Sequence, residues 1–285
     1  MPALPSMPFD SLAPGAPRRT ALPHPRAWLP KVRRWPIGLL VPVVMLAALE
    51  LAVRMGWIVG RLLPPPSEIA RTLVELSGQG LAGHVAVSVL RVAGGFAAGA
   101  LLGMVAGCVV GLSRRAEALL DPSFQGLRAI PSLAWVPLLL LWLGIDELPK
   151  LVLIALGSFF PVYLNLVAGI HNVDRKWIEV GQMHGLHGAA LVRRILLPAA
   201  LPGLFTGLRS GLSLSWMFLV AAELIAATRG VGYLLSDGRE TGRPDIVVAA
   251  IVLLAVLGKL SDSGLKALER RVLGWRDVYI TQGDA

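Results

Sequence analysis

The chain has 285 residues, 55% of them hydrophobic and only 16% charged, and carries a net charge of +9. A soluble domain is about a quarter charged, so this composition argues against a soluble enzyme, and the basic excess reads as membrane topology and headgroup contact, not nucleic-acid binding. The single Cys108 lies in an apolar run, which excludes an intramolecular disulfide and a cysteine-based metal cluster.

Residues 1–35, with Pro36, hold nine of the 21 prolines, together with Arg18, Arg19, Arg26, Lys31, Arg33 and Arg34. That composition builds no core and predicts a disordered basic tail. A cleaved secretory signal is disfavoured, because the first apolar block starts late and further blocks follow it. Six segments are then long and apolar enough to cross a bilayer, at about 36–53, 92–112, 129–145, 151–170, 204–226 and 246–265. The expected fold is therefore an all-α membrane protein of six transmembrane helices. Its membrane domain covers 36–270, and 271–285 form a basic C-terminal tail.

Glu50 closes the first span, and Ser67 is placed to cap a short amphipathic helix over Glu68–Leu76. The second span has no charge, and Gly95, Gly99, Gly103, Gly107 and Gly111 recur every four residues. They form a side-chain-free stripe for close helix packing, within the bundle or across a dimer. Arg114 and Arg115 read as a short charged turn. Pro131 and Pro137 imply a kink or a delayed start in the third span. The fifth carries Arg209 at its start, Trp216 in the middle and Glu223 near its end. Between it and the sixth lies a polar, glycine-rich segment, 227–244, with an amphipathic piece around Tyr233–Leu235.

With the N-terminus inside, 17 Lys and Arg fall on inner segments and eight on outer ones. Both termini and residues 171–198 are thus expected in the cytoplasm. No phosphate-cradling GxxxxGK[ST], metal-binding HExxH or nucleophile-bearing GxSxG is present. The reading is a protein with no catalytic residues, metal or cofactor of its own. Charged groups inside spans are costly and tend to face cavities. Arg209, Trp216 and Glu223 are therefore candidates for a translocation path, with Glu223 alternatively at headgroup level. Lys259 snorkels to the inner surface.

The most structured polar segment is 171–198. Asn172 or Asp174 caps a helix starting at Arg175, on which Trp177, Val180 and Met183 share one face. Gly185 and Gly188 permit a turn, and a second short helix over about Ala189–Leu196 carries Arg193 and Arg194 up to Pro198. Such a helix–turn–helix lying on a membrane surface suits a plug for another protein's groove.

This segment resembles the cytoplasmic "EAA" loop of permease subunits of binding-protein-dependent ABC importers: Glu-Ala-Ala, a glycine four residues on, then Ile-x-Leu-Pro about ten further. Glu179, Gly185, Ile195, Leu197 and Pro198 stand in register. Val180 and Gly181 replace the alanines, and Gly181 is expected to loosen the first helix by ~1 kcal/mol. The run Val220–Ala227, with Gly230-Val-Gly-Tyr, Gly242-Arg-Pro-Asp245 and Leu257–Asp262, looks most like the aliphatic sulfonate branch, with taurine and nitrate branches beside it.

Over about residues 60–280 the resemblance implies a type I importer permease (MetI-like) fold in the bacterial inner membrane. It also implies a homodimer, two cytoplasmic ABC ATPase subunits that use the ATP, and a periplasmic solute-binding protein. The loop would dock on the ATPase, and a small organic anion, an aliphatic sulfonate first, would cross between the permeases. The signature-like Leu76-Ser-Gly-Gln-Gly80 lacks a Walker partner and reads as coincidence. The alternative, an ion-gradient-driven secondary transporter, is disfavoured by the few titratable residues in the spans and by the lack of an inverted repeat.

Overall fold

The computed structural model describes residues 35–57 and 63–275, and all regular structure among them is helical. The basic tail expected over 1–35 lies almost wholly outside the described residues. In order, the helices are α1 (Trp35–Arg54), α2 (Pro66–Gly78), α3 (Leu81–Leu112), α4 (Arg114–Ala129), α5 (Val136–Leu143, after a 3-10 turn at Ser132–Trp135) and α6 (Glu147–His171). Then follow α7 (Arg175–Met183), α8 (Gly188–Leu191), α9 (Leu197–Ala226, joined to α8 by a π turn at Val192–Leu196), α10 (Val231–Glu240) and α11 (Pro244–Val272). Contacts divide the chain into residues 1–45 and 46–285; the opening turns of α1 are the described part of the first unit.

Among the described residues four helical stretches are long and apolar enough to cross a membrane: Leu81–Leu112, Glu147–His171, Gly188–Ile225 and Pro244–Val272. A fifth arises only if α4 and α5, bent by 86° at the break between them, count together. Segment 129–145 is therefore not one continuous span. Pro131 forces Ile130 out of helical geometry (φ −76°, ψ 123°), and α4 ends there. Arg114 and Arg115 are not a turn either. Ser113 accepts from the amide of Ala116 at 3.3 Å and starts a 16-residue amphipathic helix.

Helix α3 is 32 residues long because it begins at Leu81, eleven residues before its charge-free part. Its glycine stripe meets α6, so the packing is within the chain. A Cβ on Gly95 would lie 2.7 Å from Ile154 Cβ, on Gly103 2.7 Å from the Phe159 carbonyl, and on Gly111 2.7 Å from Ile170 Cδ1. On Gly99 it would overlap the Ala155 carbonyl and Ser158 Oγ. A second ladder, Gly203, Gly207 and Gly211 of α9, closes on an adjacent side of α6, where a Cβ on Gly203 would stand 2.7 Å from the Asn165 carbonyl and on Gly207 2.8 Å from that of Pro161. Helix α6 thus packs against both α3 and α9 at backbone distance, the arrangement that small residues every four positions allow. Ile154, Val162, Tyr163 and Leu219 are fully buried there. Tyr163 Oη donates to Asp121 Oδ1 at 2.6 Å and stacks edge-on with Phe124, tying α4 to α6.

Ser67 does not cap α2; the cap position is Pro65. Ser67 instead donates its amide (3.1 Å) and hydroxyl (2.8 Å) to Glu50, fastening the first turn of α2 to the last turn of α1. The segment 227–244 is more regular than expected, because α10 fills it with ten helical residues. Leu76, Val231, Leu234, Ile246 and Ala250 make a common core of α2, α10 and α11. At its edge Asp245 accepts from Thr72 Oγ1 at 2.8 Å and from Arg243 Nη2 at 2.6 Å, which raises the pKa of Arg243.

Candidate functional site

Two polar features stand out, the segment between α6 and α9 and the ionic groups along α9. In the first, Asp174 is the cap of α7, its Oδ1 accepting from the Lys176 amide at 2.9 Å, while Asn172 closes α6. Glu179 accepts from Arg175 Nε at 2.9 Å, one turn back on the exposed side. Trp177, Val180 and Met183 are 64%, 47% and 86% exposed, so the apolar face of α7 has no covering partner among the described residues.

The helix ends where Gly185 enters the left-handed region at φ +74°. The amide of Leu186 returns to the Gly181 carbonyl at 3.0 Å and that of Gly185 to Gln182 at 2.9 Å, a Schellman closure that needs a glycine-like backbone. His184 and His187 direct Nδ1 at the carbonyls of Val180 (2.9 Å) and Gly185 (3.1 Å), so both rings brace the same turn.

Gly181 does not act as a loosening residue. It is buried, and a Cβ there would meet Leu191 Cδ1 at 2.8 Å and overlap Ile195 Cδ1. The glycine lets Ile195 seat directly on α7. The second short helix does not stop before the apolar block either. From Gly188 to Ile225 the chain is a 38-residue helical stretch, about 57 Å long. Pro198 brings no N–H to this ladder, and the turn just before it widens to a π turn, which absorbs the missing bond. Leu197 and Pro198 are half-buried at this joint. Between α7, the start of α9 and Trp275 lies an open cavity of about 1120 Å³, with Trp177, Val180, His184 and Ile195 in its wall.

The three path candidates on α9, Arg209, Trp216 and Glu223, recur every seven residues and so share one face. That face meets the chain's own helices. Arg209 forks onto Asp262 of α11 (Nε 2.9 Å, Nη2 3.3 Å), with Glu269 3.8 Å from Nη1. Trp216 Nε1 donates to Ser261 Oγ at 2.9 Å. The Glu223 carboxylate is wholly buried and accepts from Ser88 Oγ (2.7 Å), Arg91 Nη1 (2.8 Å) and the Gly232 amide (2.7 Å).

Arg91 extends this network. It holds Glu147 in a bidentate fork, both contacts at 2.6 Å, and Nη1 also reaches the Arg229 carbonyl at 2.6 Å. Lys150 approaches Glu147 at 3.0 Å, and Ser88 Oγ accepts from the Val231 amide at 2.8 Å. Helices α3, α6 and α9 and the first turn of α10 are thereby fastened at one point. Burial of Arg91, Lys150 and Glu223 is tolerated because each has a partner of opposite sign and good geometry, the half-exposed Glu147 among them. Arg91 is one of the eight outer Lys and Arg counted from the sequence, just ahead of the expected span at 92–112. Its signal was position: Ser88, Arg91 and Gly95 continue the face of the glycine stripe by three- and four-residue steps.

Residues 99–274 match the family model described as the inner membrane component of binding-protein-dependent transport systems. The chain belongs to this family. It is 44% identical over 247 residues to a protein of Bacillus subtilis (strain 168) named for aliphatic sulfonates transport, covering 86% of this chain and 89% of that relative. A like-named permease of Escherichia coli (strain K12) is 43% identical over 255 residues, with 89% and 95% covered. The taurine transport system permease of the same strain is 37% identical over 255 residues, with 85% and 92% covered. The chain is thus the permease subunit of an ABC importer, a multi-pass membrane protein and not itself an enzyme. The resemblance carried by Glu179–Pro198 and by the 220–262 motifs points to the same family, and the ion-gradient alternative falls away.

Proposed function

We propose that this permease moves a small organic anion, an aliphatic sulfonate first among them, across the bacterial inner membrane. It would do so as one of two permease copies, with two cytoplasmic ABC ATPases and a periplasmic binding protein. The chain would hold no cofactor, the ATP being used by the partner subunits. In this reading α1 and the α4–α5 pair complete six spans within a membrane domain over 36–270. The basic residues of 1–35 and of 271–285 lie in the cytoplasm together with α7, because the count of Lys and Arg favours that side.

The observation that supports this most is the mechanical build of residues 175–225. An exposed apolar face, Trp177–Val180–Met183, sits on a short helix fixed by Asp174 at one end and Gly185 at the other. Ile195 bolts that helix to a stretch that continues to Ile225. A groove that holds α7 would move α9 with it. ATP-driven closure of two ATPases would then bring two such levers together and exchange the open side of the membrane path. Glu179, Gly185, Ile195, Leu197 and Pro198 are the coupling residues in this account. The selectivity for sulfonate follows the names of the relatives and would lie largely in the binding protein.

The test is purification of the solubilised permease beside a variant with 179–198 scrambled. A Walker-type ATPase retained by the first and lost from the second supports the reading. An ATPase absent from both, or held equally by both, contradicts it.

A further inference from the structure

The face of α9 left exposed among the described residues is rotated away from Arg209, Trp216 and Glu223. Thr206, Ser210 and Ser213 follow at four- and three-residue steps, forming one track about 10 Å long. All three are exposed, and Met217 and Leu224 continue the track toward the other end of the helix. The opposite side of α9, with Phe205, Leu212, Phe218 and Leu219, is buried against α6 and its neighbours.

Beside the track lies a concavity of about 280 Å³ whose whole lining is polar: Thr206, Arg209, Ser210, Ser213, Asp262 and Glu269. The side chains of Arg209, Asp262 and Glu269 are 37%, 28% and 28% exposed. All three belong to helical stretches of membrane-spanning length and hydropathy. Lipid does not solvate half-open charges, whereas a water-filled cavity does. The charges therefore mark this flank of α9 as wet, and the hydroxyls stand on the wet side.

The charge balance also says how an anion would be handled. The Arg209 guanidinium is forked onto Asp262 with Glu269 at 3.8 Å, so its positive charge is engaged within the chain and is not free to trap an anion, while Lys259 and Lys266 also act on Asp262. The hydroxyls are neutral, and each rests on the carbonyl one turn behind: Thr206 on Pro202 at 3.0 Å, Ser210 on Thr206 at 2.9 Å and Ser213 on Arg209 at 3.1 Å. A swing about χ1 frees each proton for a passing oxyanion and returns it afterwards. Contacts of this kind bind weakly and let go, which conduction requires.

Resting on the importer reading above, we propose that Thr206, Ser210 and Ser213 are the wall that hands the organic anion along α9, flanked by the internally paired Arg209–Asp262–Glu269 cluster. The assignment sets these hydroxyls, whose bonds lie within one helix, ahead of Arg209, Trp216 and Glu223, whose polar atoms tie α9 to other helices.

The test uses the assembled transporter in membrane vesicles. Cys108 is replaced by Ala, and Ser210→Cys or Ser213→Cys is introduced as the sole thiol. The probe is 2-sulfonatoethyl methanethiosulfonate, a thiol reagent that is itself an alkanesulfonate. Both thiols should react at least about tenfold faster than Leu101→Cys, an exposed apolar position on α3, as expected for water against lipid surroundings. Excess ethanesulfonate should slow them several-fold, and the double variant Ser210→Ala, Ser213→Ala should keep its ATPase yet lose most ATP-driven uptake. Thiols that stay inert, that oxidise quantitatively into a cross-link between two copies, or that react at a rate indifferent to ethanesulfonate would overturn the wall assignment. Uptake by the Cys108→Ala parent tests the importer reading separately. A transporting parent with inert thiols sinks only the wall, and a non-transporting parent with reactive, protectable thiols sinks only the importer.

Discussion

Removing the Glu223 carboxylate deprives Arg91 Nη1, Ser88 Oγ and the Gly232 amide of an acceptor in one step. Truncating one partner of a buried ion pair costs about 3–5 kcal/mol, because the other charge is left stranded. Here Arg91 keeps its bidentate fork to Glu147, so Glu223→Ala belongs at the lower end, about 3 kcal/mol. Glu223→Gln retains an oxygen for the Gly232 amide but turns an NH2 group toward Arg91 or Ser88, and about 1–2 kcal/mol is expected. For a protein of this size, 1 kcal/mol shifts a melting midpoint by roughly 2–4 °C. Thermal unfolding of the detergent-solubilised permease, followed by tryptophan fluorescence, should therefore show Glu223→Ala lowered by roughly 6–12 °C and Glu223→Gln by roughly 2–8 °C, one to two thirds as much. Uptake should fall in proportion to the folded fraction. An unchanged midpoint in Glu223→Ala would refute the anchoring role. Uptake lost at an unchanged midpoint would make Glu223 a contact of the transported anion.

Three further outcomes follow from the geometry. Gly99→Val should abolish stable expression, since a Cβ there already collides with the backbone of α6, whereas Gly126→Val, where nothing lies within 4 Å, should be tolerated in expression. Arg209→Ala and Asp262→Ala should each destabilise the permease, and the double variant should be little worse than either alone. Full additivity in thermal midpoint would show that the pair is not one unit. Gly185→Val adds no clash, because its surroundings are open, but it forces a β-branched residue to φ +74°, at a cost of about 1–2 kcal/mol or more. ATP hydrolysis by the assembled complex should persist while uptake per ATP drops several-fold, and normal uptake would contradict the rigid turn.

The membrane character, the loop and its glycine turn were legible because each rests on local chemistry: long apolar runs, a capping aspartate, a glycine where φ is positive. The glycine stripe was legible as a packing face, but its partner was not, since periodicity names a surface and not what touches it. Helix α4 escaped notice because Pro122 and a charged first turn resemble a loop when read residue by residue. The true length of α3 was hidden by Arg91. A charge normally ends a span, and only the tertiary fork onto Glu147 and Glu223 makes this one tolerable inside a helix. The same limit applies to the tethers of α9. Arg209, Trp216 and Glu223 are the conspicuous polar residues of that span, but their bonds to other helices depend on tertiary packing, as does the exposure of Thr206, Ser210 and Ser213. Gly181 likewise reads as a weakening of α7 until Ile195 is seen against it.

The most direct test of the coupling account is site-specific photo-crosslinking from Met183, the most exposed apolar side chain of α7. A benzoylphenylalanine at 183, irradiated in the intact complex, is predicted to give one adduct of permease plus ATPase, and the same substitution at exposed Thr241, at the end of α10, is predicted to give none. An adduct at 183 formed only with a second permease copy or with lipid, while the ATPase remains in the complex, would contradict it.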